Sequence, residues 1–346
     1  MTPKERLLSA IHFKEPDKPA LSYYYTEVGY AEHGEKLLEL YKKYPGDAEE
    51  VPNFTLSELP KPDLSDIMPD GSYHKIETDE WGITWEYRIY GRIGHAIKFP
   101  LDDLNKLDTY KFPAMPLSDP VAMQELRDRV KLSANVYPVK YSVPGLFERL
   151  IALCPFENVL MDIVSEEPLI EQLADTLTSL FREEVERALS AGVDIIGIGD
   201  DYGDERSLLM SPELWREFFL PRLKTIIAPI KKAGKTCCFH SCGQVFDILP
   251  DLKEAGADSI WPQLPLYDRT ALKKRLHDIG LALCIHIDRG DLMQHGSPEN
   301  VKAELDKVYH DFRPDKGGSW FYFEVDQGFP FDNVLALAEA IDKYRK

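Results

Sequence analysis

From about residue 139 onward, short β-rich runs alternate with helical patterns, and this alternation constrains the chain more than any other feature. Residues 139–143 form the first run, and 194–199 follows a long helical stretch through Glu171 to Ala191. Then come 236–242, 259–263, 282–288 and 320–325. The helices between them are marked by Ser211-Pro212-Glu213, 245–255, 270–276, Ser297-Pro298-Glu299 and 331–344. In each Ser-Pro-Glu triplet the serine can cap a helix and the proline can take the first helical position, where an N–H is not needed. The acid then sits at the positive end of the helix dipole. Repeated strand–helix units require a parallel sheet. No Gly-rich phosphate turn follows any of the strands, so the six units fit a (β/α)8 barrel better than a dinucleotide-binding sheet.

The first half must then supply the remaining strands. Residues 17–23 read as the first, whereas 30–138 is irregular and proline-rich, as in Pro60-Lys61-Pro62 and Phe112-Pro113-Ala114-Met115-Pro116. The expected architecture is a single α/β domain over 1–346. It is a (β/α)8 TIM barrel whose region 30–138 contains a cap or insertion with short strands near 84–90 and 96–99. At 346 residues the chain can bury one core of that size. The formal charge of −18 argues against nucleic acid or an anionic membrane as partner, because both demand clustered Lys and Arg. Three of the five cysteines fall within six positions, which is no secreted disulfide framework. The opening Met1-Thr2-Pro3-Lys4-Glu5-Arg6 carries no apolar signal core. A cytoplasmic protein acting on a small molecule is the expectation.

Catalytic groups of parallel barrels sit where strands end, and the late strands here end in acids, amides, imidazole or thiol. A histidine and a cysteine two residues apart are most often ordinary core groups. His240 and Cys242, however, share one face at the end of a buried strand, where an imidazole and a thiol can grip one zinc ion. A catalytic zinc takes a third protein ligand; Glu324 or Asp326 is the expected donor, ahead of His286 and Cys284. Asp200 and Asp201 close the strand at 194–199, and His286 and Asp288 lie on one face of the run at 282–288. These four are the candidate catalytic groups. Gln263 and the aromatics Tyr25 and Tyr322 are candidates for holding a cofactor or substrate. Cys237 and Cys238 read as core.

The opening 1–10, the segment Asp79-Glu80-Trp81-Gly82-Ile83-Thr84-Trp85, the stretch from Met210 through Phe239-His240-Ser241-Cys242-Gly243 to Leu252, His286-Ile287-Asp288, Gly317-Gly318 and Asn333-Val334 together resemble the uroporphyrinogen decarboxylase superfamily. That resemblance implies one (β/α)8 barrel with its site at the strand C-termini. The His-x-Cys pair is similar to the zinc site of the corrinoid-linked methyltransferase branch. The resemblance then implies methyl transfer from methylcobalamin, carried by a separate corrinoid protein, to a zinc-bound thiol or to tetrahydrofolate. The coenzyme M branch has a third ligand cysteine after the Gly-Gly, and this chain has Glu324-Val325-Asp326 there. The decarboxylases hold a polycarboxylate with an arginine-rich N-terminal segment, and residues 19–34 contain no arginine. Two alternatives stay open: a porphyrinogen decarboxylase, and a barrel that binds a small molecule or a corrinoid protein without turnover.

Overall fold

Strand alternation in the sequence becomes a curled parallel sheet. The computed structural model describes residues 1–52, 56–133 and 135–346. Its strands are β1 (Leu21–Tyr24), β2 (Lys75–Thr78), β3 (Thr84–Tyr87), β4 (His95–Lys98), β5 (Lys140–Pro144), β6 (Ile195–Gly199), β7 (Thr236–Ser241), β8 (Ser259–Pro262), β9 (Ala282–Ile285) and β10 (Ser319–Glu324). The helices are α1 (Pro3–Ile11), α2 (Glu27–His33), α3 (Glu35–Lys43), α4 (Pro120–Ser133), α5 (Leu146–Leu153), α6 (Phe156–Val164), α7 (Pro168–Ala191), α8 (Pro212–Lys232), α9 (Leu249–Ala255), α10 (Arg269–Ile279), α11 (Pro298–Phe312) and α12 (Phe331–Lys343). The large sheet runs β1-β10-β9-β8-β7-β6-β5, every pair parallel. This is the (β/α)8 barrel the sequence predicts. Among the described residues no strand of this sheet stands between β1 and β5. Beside β1 the chain at Asp47 takes that place, its N–H donating to the Leu21 carbonyl at 2.6 Å.

Period-two alternation sorts the strand residues. On β6, Ile196 and Ile198 face the helices, while Ile195, Gly197 and Gly199 face the barrel interior. The helix layer answers with apolar stripes, such as Leu173, Leu177, Phe181, Val185 and Ala188 on α7, all fully buried. Each of the larger of these side chains, Leu, Phe and Val, contributes about 1.5–3 kcal/mol by leaving water. The N-terminal end of the barrel is plugged by α1, whose Leu7, Ala10 and Ile11 pack with Ile195, Ala282, Cys284 and Trp320. Thr2 and Glu5 form a capping box at the start of α1. The buried carboxylate of Asp47 joins both ends of the chain there, accepting from Arg6 and Arg345 at 2.5 and 2.6 Å.

The two Ser-Pro-Glu triplets start α8 and α11 as expected: the Ser211 and Ser297 hydroxyls accept from the N–H groups of Leu214 and Asn300. Other boundaries differ. The run 282–288 leaves the sheet after Ile285, and 320–325 after Glu324. The region 30–138 is more ordered than its prolines suggest, with α3, α4 and an antiparallel sheet β2-β3-β4. Asp79 fastens this cap. One oxygen accepts from the N–H groups of Trp81 and Ile83, and the other from the Trp85 indole. Trp81 then lies under the Arg149 guanidinium of α5, 4.2 Å from ring centroid to cation. No helix among the described residues is long and apolar enough to cross a membrane.

Candidate metal centre

On β7, Cys237 and Phe239 point outward into the core, so Cys238 and His240 point into the barrel. Cys242 lies one residue past the strand, and Gly243 turns the chain immediately afterwards at φ +74°. A Cβ on Gly243 would meet the Gly203 backbone at 2.1 Å, so only glycine allows this turn. Asp201 reaches the same point from the end of β6. Its Oδ1 accepts the Cys242 N–H at 2.7 Å and lies 3.4 Å from His240 Nε2. Cys242 Sγ is also 3.4 Å from His240 Nε2. The three donor atoms lie within 4.8 Å of one another, each residue half-buried.

His240 Nδ1 faces the carbonyl oxygen of Trp261 at 2.8 Å. A carbonyl only accepts, so Nδ1 carries the ring proton and Nε2 presents its lone pair to Asp201 and Cys242. Trp261 also packs over the imidazole, with centroids 4.1 Å apart, which holds the ring plane. A tetrahedral zinc with sulfur at about 2.3 Å and nitrogen or oxygen at about 2.0–2.1 Å has ligand–ligand edges of roughly 3.3–3.6 Å. The two separations from His240 Nε2, both 3.4 Å, fall within that range. Electrostatics also favour a cation: burial lowers the His240 pKa and keeps the ring neutral. Burial first, then the Asp201 charge, pushes the Cys242 thiol up to about 12. Without a cation the thiol keeps its proton, and a bound metal would reverse that.

The other candidates separate. Asp201, expected as a catalytic acid, is the carboxylate beside His240 and Cys242, in the place expected of Glu324 or Asp326. Glu324 is buried under Arg289, with which it pairs, and accepts from the Tyr322 hydroxyl at 2.8 Å. Asp326 takes both sides of the Arg92 guanidinium, at 2.8 and 2.6 Å. Asp200 is buried and turned away from the cluster. It accepts from the N–H groups of Phe147 and Glu148 at the start of α5 and from the Tyr202 hydroxyl at 2.5 Å. Burial outweighs these donors and raises its pKa to about 6. His286 has both ring nitrogens 2.9 Å from carbonyl oxygens, those of Ile287 and Pro262, and burial lowers its pKa to about 4. Neither nitrogen is free for acid–base work.

Asp288 accepts from the Gly290 N–H at 2.8 Å and borders a cavity of about 600 Å³ between the β9 end and α11, which His286 also lines. Cys284 is buried in the interior floor. Gln263 is structural glue, its Oε1 accepting the Gly243 N–H at 2.8 Å. Tyr322 packs at a tilt against Trp261, ring centroids 4.4 Å apart, and so belongs to the His240 wall. Tyr25 instead packs outward with Tyr23 and Tyr41. By alternation Tyr24 is the one that faces the mouth, and it is 55% exposed.

Three groups at the mouth were not anticipated. Glu148, in the first turn of α5, is exposed there. Its carboxyl is raised to about 8 by desolvation and by the charges of Asp200 and Asp201. Its position just past β5 is the same signal that marked Asp201. Arg289 follows β9, directly after the acidic Asp288. Arg92 comes from the cap, and nothing local in the sequence places it across the mouth.

Residues 122–344 match the uroporphyrinogen decarboxylase (URO-D) family model. A uroporphyrinogen decarboxylase of Chlorobaculum parvum is 25% identical over 275 residues, 77% of this chain and 73% of that one. The "Methylcobamide:CoM methyltransferase MtaA" of Methanosarcina barkeri is 26% identical over 185 residues, 52% of this chain and 51% of that one. Among solved structures, a methyltransferase from Methanosarcina mazei superposes over 100% of both chains with a TM-score of 0.67 at 20% identity, which supports the fold. Since the matched segment takes in well over half of the sequence and all of Asp201, His240 and Cys242, the chain belongs to the uroporphyrinogen decarboxylase family.

Proposed function

We propose that this protein is a zinc-dependent methyltransferase that moves a methyl group between a methylcobalamin, carried by a partner corrinoid protein, and a thiol or tetrahydrofolate acceptor. The observation that carries the reading is the Asp201/His240/Cys242 cluster at the barrel mouth, with the imidazole proton locked on the Trp261 carbonyl. One nitrogen, one sulfur and one carboxylate oxygen make three ligands and leave a fourth position for substrate, the composition of a catalytic zinc site. Zinc held there would supply Lewis acidity that lets an acceptor lose its proton at neutral pH. The chain's own groups prepare for this. The Trp261 carbonyl fixes the tautomer of His240, and the Cys242 N–H orients Asp201. Glu148, at the same mouth, is a carboxyl that keeps its proton near neutral pH in the metal-free chain and so stands there as a proton donor.

Porphyrinogen decarboxylation is the second reading, favoured by the longer stretch over which the chain resembles the Chlorobaculum parvum protein. The mouth arginines count against it, since Arg92 and Arg289 are already matched by Asp326 and Glu324. Metal analysis of the purified protein, joined to a methyl-transfer assay with methylcobalamin, separates the readings. Stoichiometric zinc with demethylation of the corrinoid is expected. A zinc-free protein that decarboxylates porphyrinogen would replace this proposal with the second.

A further inference from the structure

The cavity of about 600 Å³ beside α11 plays no part in the chemistry of the mouth. The loops after β8 and β9 bound it on one side, with Leu264, Asp288 and Asp291, and the face of α11 that carries Glu304, Lys307 and Val308 bounds it on the other. Asp201, His240, Cys242 and Glu148 do not line it. His286 does, and its ring meets Trp261 edge-on, centroids 5.8 Å apart. Since Trp261 in turn packs over His240, the cavity lies behind the wall of the metal centre and not in the mouth.

A cleft of this volume suits a small organic molecule, for which roughly 300–1,000 Å³ is usual. Its lining says which kind. Leu264 and Val308 are buried and Leu292 is half-buried, so together they offer an apolar bed. The bases of the wall are already matched: Arg269 pairs with Glu304 and Asp311, and Lys307 with Glu304 at 3.7 Å. Two acids are not. Asp288 accepts the N–H groups of Gly290 and Leu292 in its own loop, and among the described residues no cation is in ion-pair contact with Asp288 or Asp291. A bare metal ion does not answer this charge, because the described His, Cys, Asp and Glu groups gathered closely enough for one are Asp201, His240 and Cys242. What fits is a cation that carries its own hydrocarbon.

We propose that this cavity is a binding site for an organic ammonium compound, with its apolar part on Leu264, Leu292 and Val308 and its ammonium at Asp288 and Asp291. The site is separate from the metal centre and does not depend on the reaction performed there. Its test compares two probes of equal length, 4-phenylbutylammonium and 4-phenylbutan-1-ol, by calorimetry on the full chain. Wild type should favour the ammonium by roughly tenfold to a hundredfold, as a charge-assisted hydrogen bond implies. The double variant Asp288→Asn, Asp291→Asn keeps an acceptor for the Gly290 N–H and should erase that preference while leaving the alcohol's affinity unchanged. Ala303→Trp, which fills the cavity from α11, should abolish binding of both probes. Zinc-loaded and metal-free protein should bind them alike. A wild type that binds ammonium and alcohol equally, or neither, overturns the site; so does a preference that survives in the double variant. Binding that persists in Ala303→Trp, or that changes with zinc, would put the probe elsewhere and overturn the assignment to this cavity.

Discussion

Two sides of the barrel mouth use the same residue types to opposite ends. Across β6 and β7, the Asp201 carboxylate meets an imidazole lone pair and a thiol, with no basic side chain among the described residues in ion-pair contact other than His240 itself. Across β9 and β10, Glu324 and Asp326 meet the guanidinium groups of Arg289 and Arg92. The contrast teaches that an acid at a strand end is a metal-ligand candidate only if no cation of the protein already claims it. Neutral donors gathered around an unclaimed carboxylate call for an external cation; a carboxylate–guanidinium pair is complete in itself.

The comparison breaks most sharply at Cys242. Cys242→Ser replaces a soft thiolate with a neutral hydroxyl at nearly constant volume, so zinc affinity should fall by at least about a hundredfold and methyl transfer should be lost. Thermal unfolding of the metal-free variant should match that of metal-free wild type. If the variant collapses while activity per folded molecule is unchanged, Cys242 is a structural thiol. On the opposite side the expectation inverts. Arg289→Met leaves the buried Glu324 with the Tyr322 hydroxyl and a more distant Arg92 at 4.0 Å, and should cost about 3 kcal/mol of stability, read from denaturant unfolding, with zinc content unchanged. Loss of zinc in that variant would erase the distinction between the two sides.

Glu148 gives a smaller effect with a definite sign. Its carboxyl is raised from 4.5 to about 8, so between those values the native metal-free chain holds a proton that the unfolded chain has released. Stability therefore falls as pH rises through that window. Glu148→Gln should flatten the decline, seen by comparing unfolding midpoints of metal-free wild type and variant from pH 5 to pH 8; an identical slope in both would remove Glu148 from the mouth's electrostatics. The smallest effect belongs to Tyr25, whose buried hydroxyl has no hydrogen-bond partner among the described residues. Tyr25→Phe should change stability and substrate affinity by less than about 0.5 kcal/mol. A marked rise in KM would restore Tyr25 as a substrate contact in place of Tyr24.

Legibility from sequence followed the range of the forces involved. The barrel strands were readable because buried parallel strands give continuous apolar runs, and the starts of α8 and α11 because Ser211 and Ser297 cap locally. His240 and Cys242 were readable as a pair because strand periodicity carries across two residues. Periodicity misleads where the strand has already ended: His286 and Asp288 lie beyond Ile285, where β9 stops. Tyr25 packs outward on Tyr23 and Tyr41, and its neighbour Tyr24 is the exposed one. The choice of Asp201 over Glu324 depended on Arg289 and Arg92, one of them from a cap more than two hundred residues away in sequence. Ion pairs of that span leave no local pattern.

The central claim, that the unclaimed side of the mouth is a zinc site built by Asp201, His240 and Cys242, is tested most directly by zinc K-edge X-ray absorption on the purified protein. The account predicts one zinc per chain, with a single sulfur at about 2.3 Å and nitrogen or oxygen neighbours at about 2.0–2.1 Å, the sulfur disappearing in Cys242→Ser. A protein that takes up no zinc, or a zinc shell without sulfur, would contradict it.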